Sequence, residues 1–278
     1  MRNINVKQVE AAVARLCAQA NLELSADVLS ALKRSLKLER SVLGRQTLKP
    51  LIENADIARR ECIPICQDTG TAVLFINIGQ EVRLSGGDLN EAVQRGVRQG
   101  YRWLRKSIVA DPLTRKNTGD NTPAIIHYAI VPGRKVKITF SPKGAGSENK
   151  SRLVMLRPAD GIPEIKKFVL ETVKLAGASA CPPLIVGVGI GGNFETAPLL
   201  AKKALLRNIG SPNKDRAAAR IEKDLVREIN KTGIGPSGFG GKTTALAVHI
   251  EQAPCHIASL PVAVNIGCHA NRHKEITL

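Results

Sequence analysis

Apolar residues in this chain keep two different spacings, and the pair restricts the fold to helices combined with sheet. Through residues 1–60 they recur every three or four positions: Val6, Val9, Val13 and Leu16, then Val28, Leu29, Leu32 and Leu36 after Ser25, a suitable N-cap. That stretch is expected to be a helical lobe. A helix is also expected over 88–106, with Leu89, Ala92, Val93, Val97 and Leu104 on one face. Elsewhere the runs are short and continuous. Those at 72–78, 184–188, 244–250 and 261–266 read as buried strands, and 124–131 with 135–140 reads as a hairpin about Pro132-Gly133. Helical spacing returns at 163–176, 196–208 and 215–231. There is no regular βαβ alternation, internal repeat or low-complexity linker. The expected fold is therefore mixed α/β (α+β): one compact unit over 1–278, a helical N-terminal lobe at 1–60 and a mixed-sheet core.

Composition excludes some classes. No stretch approaches the roughly 20 apolar residues of a membrane span, and the charged N-terminus does not read as a signal peptide. The expected compartment is the cytoplasm, where six cysteines would be thiols, metal ligands or redox groups rather than disulfides. A net charge of +17 admits a nucleic-acid partner. It equally suits an acidic subunit, an anionic substrate or a lysine-rich surface. The even spread of the basic residues and an aromatic content of 3 % favour these.

Several segments carry chemistry. Cys66-Gln67-Asp68-Thr69-Gly70 places a soft metal ligand beside an amide and a carboxylate, though it would also serve as a buried cysteine next to a turn. Cys181 precedes an apolar run whose Gly187, Gly189 and Gly192 satisfy G-x-G-x-x-G. An NAD-linked oxidoreductase would use that segment. Yet the nearest acidic partner, Asp215, follows an expected loop, and the motif is late in the chain for a first βαβ unit. In 235–244 Pro236 stands where a P-loop needs its first glycine, leaving a glycine-rich backbone able to approach an anion or a cluster closely. Cys255-His256 and Cys268-His269, with His273, have zinc-ligand residue types, but the stretch between them reads as a stiff strand. Cys17 lies on an apolar helical face, and Cys62 is ambiguous, being four residues from Cys66. The polar loops 117–123 and 143–150 offer side chains and glycines suited to a small carboxylate.

Taken in order, these segments resemble the alpha subunit of the class I, iron–sulfur fumarate hydratases and the related L-tartrate dehydratases. The matching pieces are CQDTG (66–70), LRKS (104–107), NTGDNTPA (117–124), KGAGSENK (143–150), SACPP (179–183), GIGPSGFGGKTTAL (233–246) and HIASLPVAVNIGCHANRH (256–273).

The resemblance implies a [4Fe–4S] cluster held by Cys66, Cys181 and Cys268, one iron lacking a protein ligand and acting as a Lewis acid. It implies that Gln67 and Asp68 contact substrate, that Asp68 donates a proton to the departing hydroxyl, and that His256 orients that hydroxyl. Arg105 resembles a carboxylate clamp, and Gly146, Asn149 and Lys150 match a substrate-proximal loop, Lys150 standing where the family usually has methionine. The chain stops at Leu278, soon after HANRH, whereas single-chain members continue into a second domain. That implies a two-subunit form with a separate beta subunit, and an alpha dimer in an α2β2 assembly. The implied reaction is fumarate to L-malate, with L-tartrate to oxaloacetate the nearest alternative.

Overall fold

The computed structural model describes all of residues 1–278, and the chain divides into two compact units, each built from separated stretches of sequence. The first comprises Met1–Leu24, Ile57–Ala145 and Arg272–Leu278; the second comprises Ser25–Asp56 and Gly146–Asn271.

The first unit holds a small parallel pair, β1 (Arg2–Asn5) with β3 (Val82–Ser85), and a four-stranded sheet. That sheet has the order β10-β5-β2-β4, from β2 (Thr71–Gly79), β4 (Ile125–Val131), β5 (Val136–Lys143) and β10 (Lys274–Thr277). Helices α1 (Val6–Leu22) and α4 (Leu89–Gly100) pack together beside it. Alternation decides which strand residues meet them. Leu74, Ile76, Ile138 and Phe140 join Val9, Val13, Leu16, Val93 and Val97 in one buried cluster. Asn5 caps α1, its side chain accepting from the Lys7 amide while Gln8 Oε1 accepts from the Asn5 amide.

The second unit contains α2 (Ala26–Leu38), most of α3 (Val42–Glu61), most of the short turn α5 (Ala145–Glu148), α6 (Gly161–Ala176), α7 (Thr196–Ala204) and α8 (Arg216–Lys231). Its sheet has the order β6-β9-β7-β8, from β6 (Arg152–Leu156), β7 (Leu184–Gly192), β8 (Ala245–Cys255) and β9 (Leu260–Gly267). Phe168, Val173, Leu225 and Ile229 from α6 and α8 cover Val186, Val188, Val248 and Val264. No helix is long and apolar enough to cross a membrane.

Two sequence readings change and a third is sharpened. The 1–60 lobe is not one body: its helices form, but α1 belongs to the first unit and α2 to the second. Helical spacing shows that a face is buried and says nothing of what buries it. The expected hairpin is absent, because β2 lies between β4 and β5, parallel to one and antiparallel to the other. Both strands form, but the ends of β2 and its turn take their bonds, the amides of Gly79, Gln80 and Glu81 donating to Lys135, Val131 and Gly133. The G-x-G-x-x-G segment is the strand β7 itself. A Cβ at Gly187 or Gly189 would lie 2.1 Å from the carbonyl oxygen of Ala201 or Ala197, so these glycines let α7 lie directly on the strand. They form no phosphate loop. Gly189→Ala is therefore expected to cost about 2–3 kcal/mol of stability, measured by denaturant unfolding.

Candidate functional site

In the first unit, strand polarity brings the motif segments to one end of the sheet. CQDTG leads into β2, residues 117–124 lead into β4, β5 ends at Lys143, and Arg272 lies just before β10. Pairing of Thr71 with Lys143, Val73 with Ile125 and Phe140 with Lys274 places all four segments together.

Hydrogen bonds then fix the CQDTG loop. Thr69 Oγ1 donates to the Arg105 carbonyl at 2.6 Å, and the Tyr101 hydroxyl donates to the Thr69 carbonyl at 2.8 Å. Burial pushes the Tyr101 hydroxyl far above the usual tyrosine range, so it remains a donor. Asn121 Nδ2 donates to the Gly70 carbonyl at 3.1 Å, while Asn121 Oδ1 accepts from the Ser107 amide at 2.7 Å. The Asp68 carboxylate is gripped on both oxygens, Oδ1 by the Gly70 amide at 2.9 Å and Oδ2 by the Ala145 amide at 2.7 Å. Cys66 is half-buried; its Sγ accepts from the Asp68 amide at 3.4 Å and lies 3.4 Å from Gln67 Oε1, to which the thiol donates. Gln67 and Arg105 are exposed. Four more basic residues, Arg102, Lys106, Arg115 and Lys116, accompany Arg105 within 102–116, against the single acid Asp111, whose carboxylate is turned onto the amides of Leu113 and Thr114.

The second unit repeats the device. Cys181 lies just before β7, separated from it by Pro182-Pro183, and Cys268 immediately follows β9; these strands are antiparallel neighbours with Ile185 opposite Gly267. The two cysteine loops are joined directly. The His269 amide donates to the Cys181 carbonyl at 3.2 Å, and His269 Nδ1 lies 3.0 Å from the same oxygen. Cys181 is exposed, with a left-handed backbone (φ 54°) that a cysteine adopts at a cost of about 1–2 kcal/mol. The loop from Gly146 to Ser151 is drawn to the same end. Glu148 Oε2 accepts from Asn265 Nδ2 at 2.8 Å, and Ser151 Oγ accepts from the Asn265 side chain and the Ile266 amide. Gly146 and Asn149 are exposed there and Lys150 is half-buried.

His256 lies elsewhere in the second unit. It follows β8, whose Cys255 pairs with Gly192 at the far end of β7, and it precedes β9. The eight residues of β9 separate it from Cys268, roughly 25 Å of extended chain. His256 is exposed in a turn where its Nδ1 accepts from the Ala258 amide. It therefore does not stand beside Cys181 and Cys268 of its own chain. The same separation removes the zinc alternative, which needed Cys255-His256 and Cys268-His269 together. Cys17 is wholly buried and its thiol is pushed far above the ordinary range, which leaves it a core residue.

A cavity of about 840 Å³ lies between α8 and β8 and is lined by residues such as Glu222, Val226, Leu246 and Val248. It includes none of the candidate residues. Two residues of the site were overlooked in the sequence although they lie inside matched segments. Buried Arg272 donates through Nη2 to the Asp68 carbonyl at 3.0 Å and to Asn21 Oδ1 at 3.1 Å, and buried Asn121 bridges Gly70 and Ser107. The signal for Asn121 was a polar residue in a segment assigned to turns, and that for Arg272 was a charged residue within a matched motif.

Three cysteines on separate loops, one already accepting an amide hydrogen bond at sulfur, have the donor chemistry of an iron–sulfur site. No group of three or more His, Cys, Asp or Glu side chains stands ready-made as a ligand set for a single ion.

Comparison with known proteins agrees with the motif order. The family model described as fumarate hydratase (Fumerase) matches residues 10–277. The chain is 46 % identical over 268 residues to a "putative L(+)-tartrate dehydratase subunit alpha" of Methanocaldococcus jannaschii, covering 94 % of each chain. It is 34 % identical over 271 residues to the L(+)-tartrate dehydratase subunit alpha of Escherichia coli K12, covering 96 % of this chain and 89 % of that one.

Proposed function

The chain belongs to the fumarate hydratase family, and from that premise we propose that it is the cluster-binding alpha subunit of a hydro-lyase that interconverts fumarate and L-malate. That it is a hydro-lyase follows from the family. The finer reading rests on one observation above the others: the hydrogen-bonded union of the Cys181 and Cys268 loops at one end of the second unit's sheet.

In this reading Cys66, Cys181 and Cys268 hold a [4Fe–4S] cluster, which when bound supplies a Lewis-acidic iron with a vacant position. The chain's own residues do the rest. Arg105 presents a planar fork to a substrate carboxylate, and the neighbouring basic residues favour a dianion over neutral molecules. Asp68 lends a proton to the departing hydroxyl. With each oxygen already held by one amide, the carboxyl is fixed in orientation and keeps its remaining lone pairs for that proton. Gln67 steadies the substrate beside Cys66, and Gly146, Asn149 and Lys150 are proposed as a substrate-binding loop. The relatives are named alpha subunits, so a separate beta subunit is proposed to complete the site. His256 is proposed to reach the substrate of a second alpha chain, because a strand's length parts it from Cys181 and Cys268 of its own.

The second reading, dehydration of L(+)-tartrate to oxaloacetate, is favoured by the names of the relatives. L-Malate and L(+)-tartrate are both C4 dicarboxylates carrying a 2-hydroxyl, so the same residues would serve. Anaerobic co-purification with the beta subunit, followed by assays on fumarate, L-malate and L(+)-tartrate, separates them. Turnover of fumarate at least about tenfold above tartrate in kcat/KM is expected, a difference of about 1.4 kcal/mol in transition-state binding. The reverse ratio would install the tartrate reading, and an iron-free preparation active on either substrate would remove the mechanism.

A further inference from the structure

A buried carboxylate outside the candidate chemistry has an unusual set of partners. Glu39 follows α2 in the second unit and is 3 % exposed. No ion pair accompanies it. Instead its Oε1 accepts from the amides of Arg40 at 2.9 Å and Ser41 at 3.0 Å, and its Oε2 accepts from the Lys242 amide at 2.7 Å. Burying an unpaired charge is expensive unless hydrogen bonds replace its water. Here backbone amides do so, and one comes from a loop two hundred residues away in sequence. The fit is close on both sides. A Cβ on Gly44 would lie 2.9 Å from Glu39 Cγ and Cδ, and one on Gly241 would lie 2.8 Å from Oε2.

The loop that Glu39 holds, residues 235–242, is also the loop that abuts Cys181. The Ser237 amide donates to the Pro182 carbonyl at 2.8 Å, and Gly238 passes so near Ala178 that a Cβ would lie 2.3 Å from the alanine Cβ. The Cys181 amide in turn donates to the Ala178 carbonyl at 3.0 Å. A continuous line of contacts therefore runs from Glu39 through Lys242 and Ser237 to the residues on both sides of Cys181. All of it lies within the second unit.

We propose that Glu39 is a positioning residue for the cluster: its carboxylate seats the 235–242 loop, and the seated loop holds Cys181 where it can serve as a ligand. The proposal rests on the cluster assignment above. Glutamine at this position keeps the size but turns an N–H group towards at least one of the three donating amides, and so releases the loop.

The test is iron retention. Wild-type, Glu39→Gln and Glu39→Asp proteins are reconstituted anaerobically with iron and sulfide, and loss of iron to a chelator is followed by absorbance. Hydrogen exchange over 235–242 is measured in the cluster-free proteins. About tenfold faster iron loss from Glu39→Gln is expected, the scale of losing an outer partner of a metal ligand, together with faster exchange in the loop. If Glu39→Gln fails to fold, Gly44→Ala, whose Cβ would press on the Glu39 Cγ and Cδ from outside the loop, is expected to show the same two effects. Iron loss at the wild-type rate from either folded variant overturns the proposal. Failure of the wild-type protein itself to take up a cluster would instead overturn the underlying assignment, so the two failures are distinguishable.

Discussion

Cys181→Ser is expected to leave a folded chain that binds little iron and loses about a thousandfold or more in turnover. The fold survives because backbone groups hold this turn: the Cys181 amide donates to Ala178 and its carbonyl accepts from His269, bonds that serine retains. The exposed side chain adds little burial. What serine removes is a soft thiolate, and a hydroxyl is a poor ligand for iron in a cluster. Lewis-acid activation contributes several kcal/mol to such a reaction, and about 4 kcal/mol corresponds to a thousandfold in rate. Cys66→Ser and Cys268→Ser are expected to behave alike. Cys255→Ser is the control: its Sγ bonds only to the Ser259 carbonyl within its own turn, so iron and activity should persist. The measurements are iron and sulfide per chain after anaerobic reconstitution, the unfolding midpoint, and turnover with the beta subunit present. Full iron content in Cys181→Ser, with wild-type turnover, would remove the cysteine from the site.

The sequence reading succeeded where a local property was enough. Runs such as 72–78 and 261–266 became the strands β2 and β9, and the helical spacing at 163–176 became α6, because period and length are decided within one element. It failed where partners were decided elsewhere. Nothing in 124–140 reveals that β2 inserts between two strands that look like a hairpin, since that pairing depends on residues fifty positions upstream. The three cysteines were singled out by the order of the matched motifs, since each alone also suits a structural thiol, and the glycines of β7 were ambiguous because a close helix approach and a phosphate loop both need them. Glu39 could not be seen at all. It is an ordinary glutamate at a helix end in sequence, and only the meeting of α2 with a distant glycine loop makes it a buried anchor. Arg272 and Asn121 were intermediate: they lay inside matched motifs, but their meaning is a bond to another loop's backbone.

Mixing two inactive variants should restore activity if His256 serves a neighbouring chain. His256→Asn keeps an amide near the ring's shape but has no titratable nitrogen, and loss of a positioned acid–base or orienting group costs about 100- to 10,000-fold. Cys181→Ser abolishes turnover at the cluster. In a two-fold dimer each site would take its cysteines from one chain and His256 from the other. A mixed dimer of the two variants then contains one site with both defects and one with neither. When equal amounts of the variants are unfolded and refolded together, or co-expressed with distinguishable tags, about a quarter of wild-type activity is expected from random pairing. The physical ground is the strand itself: β9 is hydrogen-bonded to β6 and β7 along its length and cannot fold back to bring His256 to Cys268. A mixture as inactive as its parents would show that each chain uses its own histidine or none. Wild-type activity in His256→Asn alone would remove the residue from the reaction.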